Sequence, residues 1–241
     1  MTHATLERVG EIAADQWGLI TRRQAAKARV AATTLDRLTA PRGALARVAL
    51  GVYQLRGAPR PDHLDLRAAW LQLEPDVFAW DRSAARGVVS HRSAASVYGI
   101  GHLPADIHEF TVPTRRQTRR ADVRIHVRQF DEVEVVTAHG LPLTRPARIA
   151  SDLIGEREDP EAIAQIVADA IRGAFDYPGS IADALAPHAV RFGFPREDGL
   201  ALFGWLIDLA GAPDAERWMV EARTHIQRGH GRGSTPPGPT P

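Results

Sequence analysis

A chain of 241 residues, 44% of them hydrophobic, can bury one or two cores, and two compact domains are expected at this size. It contains no cysteine, which excludes disulfides and thiolate metal sites and fits a reducing, cytoplasmic setting. The net charge of +1 hides a division: residues 1–58 hold nine Lys/Arg against four Asp/Glu, whereas residues 153–212 hold four against ten. A polyanionic partner is therefore expected to meet the N-terminal part.

No apolar run approaches the ~18 residues that span a bilayer, and the opening MTHATLERVG lacks an apolar signal core. Neither membrane insertion nor export is expected.

In chain order, residues 4–15 place Leu6, Val9, Ile12 and Ala13 at helical spacing, with Glu7, Arg8, Glu11 and Asp15 on the other face. Trp17-Gly18-Leu19-Ile20 reads as a helix stop followed by a short extended link. Thr21 then caps a second helix, Arg22 to Ala28, whose Ala25 and Ala26 let a neighbour approach closely. Arg29-Val30 is the turn, with Val30 as a buried plug. Residues 31–40 form a third helix with Leu35 and Leu38 inward and Thr33, Thr34, Asp36 and Arg37 outward, short polar groups able to reach base edges in a major groove.

Pro41-Arg42-Gly43 leads into ALARVALGVYQLRG, an alternating pattern with Leu45, Val48, Val52 and Leu55 toward a core and a turn near Leu50-Gly51. That hairpin is a candidate wing, with Arg42 and Arg47 near phosphates. The expectation is a winged helix-turn-helix over residues 1–58, its basic cluster being Arg22, Arg23, Lys27, Arg29 and Arg37.

Gly57 to Pro61, with two prolines, is expected to separate this domain from a second one over residues 59–212. There, residues 63–73 read as a helix with Leu64, Ala68 and Leu71 inward, and Gly87 to Ser90 as a short strand entering a helix that ends at Gly99-Ile100-Gly101. Residues 107–112, 123–130, 134–137 and 141–144 read as strands of a small, mostly antiparallel sheet. Thr144 is expected to cap a helix over 145–154, and further helices follow over 160–172, 177–190 and 196–209. The fold class is α+β, strands grouped before a helical C-terminal half. Residues 213–241 are expected to hold an amphipathic helix to Gln227 and a tail, Gly229 to Pro241, without order of its own.

Four other features invite chemistry. Arg115, Arg116, Arg119 and Arg120 form a second basic run between two strands, either a solvated loop or a supplementary phosphate clamp. Ser90-His91-Arg92-Ser93 combines a hydroxyl with an imidazole, but adjacent residues at a helix start seldom face each other, so Ser90 reads as a cap rather than a nucleophile. The ten histidines form no HxH or HExxH pattern and imply no metal. Asp131, Glu132 and Glu134 read as a solvated strand edge, although a rival reading places a metal-dependent nuclease or hydrolase around His91, His126, Asp131 and Glu132. No glycine-rich phosphate loop is present.

The stretch from WGLIT to GVYQL, followed by VVSHRSAASVYGIGHLPADIHEFTVPTRRQTRR and LPLTRPARIASDLI, resembles AbiEi-type (MenA-like) antitoxins, the transcriptional half of type IV toxin-antitoxin systems. The resemblance spans roughly residues 4–212. It implies DNA contact from Arg22, Arg23, Gln24, Thr33, Thr34 and Arg37, with Arg42 and Arg47 at the wing. It further implies a repressor that binds repeats in its own promoter, no cofactor, and a functional link to a nucleotidyltransferase-like toxin. Useful specificity from so small a surface calls for two copies per operator or help from the second domain. Arg29 stands where relatives commonly carry glycine, and Leu50 and Gln54 where arginine is frequent.

Overall fold

The computed structural model of the chain describes residues 3–231. It is an α+β protein. The helices are α1 His3–Ala14, α2 Arg22–Lys27, α3 Ala32–Leu38, α4 Leu64–Leu73, α5 His91–Tyr98, α6 Pro146–Gly155, α7 Pro160–Arg172, α8 Pro178–Leu185, α9 Gly199–Leu209 and α10 Ala215–Gly231. The strands are β1 Leu19–Thr21, β2 Leu45–Ala49, β3 Val52–Leu55, β4 Val88–Val89, β5 His108–Val112, β6 Val123–Val127, β7 Val135–Ala138 and β8 Leu141–Thr144. Of the tail expected to lack order, Gly229 to Gly231 belong to α10, and residues 232–241 lie outside the described residues.

Packing divides the chain into two compact units, and the division does not fall at residue 58. The first comprises the residues up to Val89 with Ile107–Phe130 and Thr137–Pro142; the second comprises Ser90–Asp106, Asp131–Val136 and the residues from Leu143 on.

In the first unit, β1, β3 and β2 form an antiparallel sheet in that order, with Ile20 opposite Tyr53 and Leu45 opposite Leu55. Helices α1, α2 and α3 close over it because Val9, Ala25, Val30, Leu35 and Leu38 leave water together with Ile20, Leu45 and Tyr53. Each fully buried leucine there contributes roughly 2 kcal/mol. A bulge between Arg47 and Ala49 breaks the alternation in β2, so Val48 is only half-buried and Tyr53 takes a place in the core.

The Gly57–Pro61 segment interrupts regular structure, yet α4 packs on all three strands of this sheet and on β5. That is why α4 buries Leu64, Leu66, Ala68, Ala69, Trp70 and Leu71, more than one stripe. Trp70 meets Trp17 edge-on, with ring centroids 5.9 Å apart, and the Arg67 guanidinium lies 4.5 Å over the Trp17 ring. Buried Arg67 donates to the carbonyls of Asp62 and His139, both at 2.8 Å. Arg82 closes the C-terminus of α4 by donating to the Trp70 and Leu71 carbonyls, and burial lowers its pKa to about 10.

The second sheet runs β6-β5-β4-β8-β7. β4 and β5 are antiparallel, but β5 and β6 pair in parallel, from His108 opposite Val123 to Val112 opposite Val127. Alternation of side chains has the same period in either direction, so it carried no information on this reversal. Residues 113–122 make the return without a helix. Strands β7 and β8 are each divided between the two units, β7 after Val136 and β8 after Pro142.

The second unit is a helical assembly in which α6 packs on α5, α7 and α8, and α9 on α7, α8 and α10. Its core is Ile149, Leu153, Ile163, Ile166, Ile181, Leu202, Phe203, Leu206 and Trp218. Gly199 permits the closest approach: a Cβ there would lie 2.0 Å from the Ala182 carbonyl oxygen. Thr144 does not cap α6. Arg145 occupies that position, and buried Asp176 supplies the acceptors, taking the Ala147 amide at 3.0 Å, the Tyr177 amide at 3.0 Å and the Arg145 guanidinium at 2.9 Å.

Candidate nucleic-acid interface

The candidate interface comprises α2, the turn after it and α3. Thr21 caps α2 as expected: its hydroxyl accepts from the Gln24 amide at 3.0 Å, and the Gln24 side chain accepts from the Thr21 amide at 2.9 Å. Gln24 is therefore fully buried and is removed from the DNA-contacting set. Its amide nitrogen donates to the Val77 carbonyl at 2.8 Å, and its oxygen accepts from buried Gln16 at 2.8 Å. Gln16 in turn accepts from the Ala79 amide at 3.1 Å. This polar network pins α2 to residues 75–79.

Arg29 occupies the turn at φ +60°, a left-handed conformation that a glycine adopts without cost. The backbone thus explains why a glycine suits this position. Val30, which follows, is buried as expected.

On α3, Leu35 and Leu38 face the core while Thr33, Asp36 and Arg37 are exposed and Thr34 is half-buried. Arg22 of α2 reaches Asp36 at 3.2 Å, offsetting the one negative charge on this outer face. A hydrogen bond to the Tyr53 hydroxyl, then Asp36, holds the Arg22 pKa above its ordinary value. Thr33 and Arg37 keep their polar groups outward, Arg37 making only a long contact of 3.4 Å to the Thr34 hydroxyl. Lys27 is exposed but sits 5.3 Å over the Phe78 ring, on the side of α2 toward residues 75–79.

The β2–β3 hairpin turn is tied to the start of α2 by the Arg22 amide donating to the Gly51 carbonyl at 2.8 Å. Leu50 at its tip is 77% exposed. Beside it lies an open cleft of about 530 Å³ lined by Arg22, Arg23, Arg47 and Arg120, with Tyr53 and Gln72. No carboxylate is among its lining residues. Arg23 and Arg47 are exposed and make no ion pair or hydrogen bond among the described residues; the same holds for Arg42, which lies outside the cleft.

The second basic run occupies residues 113–122 and divides into two kinds. Arg116 donates to Glu74 and to the Leu73 carbonyl, both at 2.7 Å, and so anchors the connection. Arg120 grips Asp122 through Nε at 2.9 Å and through Nη2, and donates to Gln72. It holds the Asp122 pKa down at about 2. Arg115 and Arg119 are exposed and unengaged among the described residues.

No protein-family model and no curated protein matches this chain. The interface accordingly rests on its own geometry. Among the described residues, no helix is long and apolar enough to cross a membrane.

The residues of the rival nuclease reading are each held locally. His91 is fully buried at φ +52° with Nδ1 2.9 Å from the Ser90 hydroxyl. Ser90 takes the cap position but its hydroxyl caps no first-turn amide, so the capping expectation fails there, and the two neighbours do face each other. His126 approaches buried Glu109 at 3.2 Å. Asp131 and Glu132 are exposed on a 3-10 turn, where Asp131 forms a local capping box with Glu134. Glu134 also pairs with Arg148 at 2.9 Å.

Two contributors escaped the sequence reading. Gln16 and Gln72 carry no signal in sequence that sets them apart from other polar residues at a helix end. Only the approach of residues 75–79 and 113–122 gives either a role.

Proposed function

We propose that the chain is a sequence-specific DNA-binding repressor that uses residues 19–55 as a winged helix-turn-helix. The observation that carries this reading is the segregation of α3: two leucines anchor it in the core, while Thr33, Thr34 and Arg37 lie along its outer side, followed by unpaired Arg42 and a hairpin that carries unpaired Arg47. A helix so held can lie in a major groove with short side chains against base edges. Arg42 and Arg47 then meet phosphates and supply affinity without sequence choice. Binding across a promoter blocks transcription by occlusion, and no cofactor is needed for that.

The resemblance to AbiEi-type antitoxins extends the reading to a two-gene module in which the protein limits its own operon and counters a neighbouring nucleotidyltransferase-like toxin. Two copies on repeated half-sites would supply the surface that one such domain lacks. The test is a mobility-shift titration on the gene's own upstream region against random duplex of equal length, across a salt series and with and without Mg²⁺. Preferential, salt-sensitive retention of uncut upstream DNA is the expected result. Equal binding to both duplexes overturns sequence-specific repression, and Mg²⁺-dependent cleavage replaces it with the nuclease reading.

A further inference from the structure

The geometry points to the four-arginine cleft as a second DNA contact, a seat for consecutive phosphates of one strand flanking the segment read by α3, with Arg120 as its outermost member. This rests on the DNA-binding reading above and enlarges its footprint beyond residues 1–58.

The fold leaves positive charge unspent at this cleft. Arg23 and Arg47 are exposed, have no partner among the described residues, and line the same cleft. Arg22 and Arg120 each have a carboxylate to one side, Asp36 and Asp122 respectively, which orients the guanidinium; Arg120 also donates from Nη1 to Gln72, which leaves it one N–H on each Nη. The lining contains no acidic residue, so an anion entering it meets four guanidiniums and the Tyr53 hydroxyl, while Gln72 is held by the Leu50 carbonyl and by Arg120. Phosphate is the anion that fits such a donor set.

The position selects DNA over a free anion. The cleft opens beside the hairpin turn, whose Gly51 carbonyl is bonded to the first residue of α2. A duplex that laid its major groove on α3 would carry its backbone past this turn. Arg120 arrives there from residues 113–122, which belong to the same compact unit as α2 and the hairpin. Gln72, from the end of α4, fixes it in place by accepting from Nη1.

The test is the salt dependence of full-chain binding to the upstream fragment and to random duplex. Each released phosphate contact lowers the slope of log K against log salt by about 0.9. Arg23→Ala, Arg47→Ala and Arg120→Ala are each expected to lower it by about one and to weaken both duplexes alike, with the upstream preference unchanged. Arg120→Lys is expected to keep the slope, and Asp122→Asn, which frees the Arg120 guanidinium without removing it, to tighten binding to both duplexes. Arg196→Ala, exposed in the other compact unit, serves as the comparison variant.

An unchanged slope in Arg120→Ala overturns the proposal. If that variant is unfolded by circular dichroism, Asp122→Asn decides, and unaltered affinity there overturns it equally. Calorimetric titration with sodium tripolyphosphate separates the sources: binding of that anion lost in Arg23→Ala, with DNA slopes unaffected, assigns the cleft to a free phosphate and overturns the DNA-backbone assignment. Absence of upstream preference in the unmodified protein defeats the repressor reading alone, because the cleft is still scored by the slope on random duplex.

Discussion

Both compact units contain carboxylate-paired arginines, but in the first a group of unpaired ones also gathers beside α3 and the hairpin. In the second, Arg145 is paired with Asp176, Arg148 with Glu134 and Asp152, Arg92 with Glu158 and Arg172 with Asp169; two of these contacts lie within one helix, and the others tie a helix or its cap residue to a connecting segment. In the first, Arg23, Arg42 and Arg47 have no such partner among the described residues, and all three project near α3 or the hairpin. The two regions use the same residue type, so abundance of arginine says nothing about a ligand. What distinguishes individual arginines is how far the carboxylates of the fold use up the guanidinium: Arg23, Arg42 and Arg47 keep their full charge, Arg22 and Arg120 each share theirs with one exposed carboxylate, and Arg116 is spent on Glu74 and the Leu73 carbonyl.

The sharpest way to break this contrast is at Asp176. Asp176→Ala leaves Arg145 and two backbone amides without their buried acceptor and is expected to cost roughly 3–5 kcal/mol in urea unfolding of the full chain. Its DNA salt slope, where folded protein persists, is expected to match the unmodified chain. A stability loss below about 1 kcal/mol would mean that these arginines are not structural.

Gln24→Ala comes next, with about 2 kcal/mol of stability lost because Gln16 and the Val77 carbonyl lose their partner. Direct DNA contact by Gln24 would instead appear as weaker operator binding with unchanged unfolding. For the exposed face of α3, Arg37→Ala and Thr34→Ala are expected to reduce the preference for the upstream fragment by roughly 1–2 kcal/mol with stability little changed. Arg42→Ala is expected to weaken both duplexes alike, and equal losses on both duplexes for all three variants would remove α3 from base reading.

A smaller effect concerns pH. Burial, and then Arg67 for His63 and Arg120 for His108, hold both histidines below their usual value of 6.5. The folded state therefore binds fewer protons than the unfolded chain in the window below pH 6.5, and stability contributed by these groups is complete above it and falls as pH drops through it. Melting temperature is expected to fall between pH 7.5 and 5.5, and the fall to be shallower in His63→Asn with His108→Asn. His63 has φ +53°, a conformation that asparagine tolerates. An equal fall in the double variant would place the titration elsewhere.

The smallest change is Arg29→Gly. Relief of a left-handed backbone is offset by the entropy that glycine adds to the unfolded chain, so a gain of a few tenths of a kcal/mol is expected. A clear loss would give the Arg29 side chain a role that its exposed position does not suggest.

Local order was legible where short-range physics decides it. The Thr21 cap, the apolar spacing of α1 and α3, the Val30 plug and the hairpin around Leu50-Gly51 all follow from side-chain periodicity and turn chemistry within a few residues, whereas the caps expected from Ser90 and Thr144 do not form. The α+β class followed from grouping strands before helices. Charge counting likewise marked both basic runs, because sequence records composition completely.

Tertiary structure alone decided the matters that depend on distant partners. It buried Gln24 by bringing residues 75–79 against α2, and it supplied Asp176 as the cap of α6 from 29 residues away in sequence. It turned β6 parallel to β5, and it divided the second basic run, spending Arg116 on an anchor and placing Arg120 in a cleft with Arg22, Arg23 and Arg47. The physical reason is common to all of these. A polar or charged side chain carries the same signature in sequence whether water, a carboxylate or a backbone amide satisfies it, and only the closed fold shows which one does.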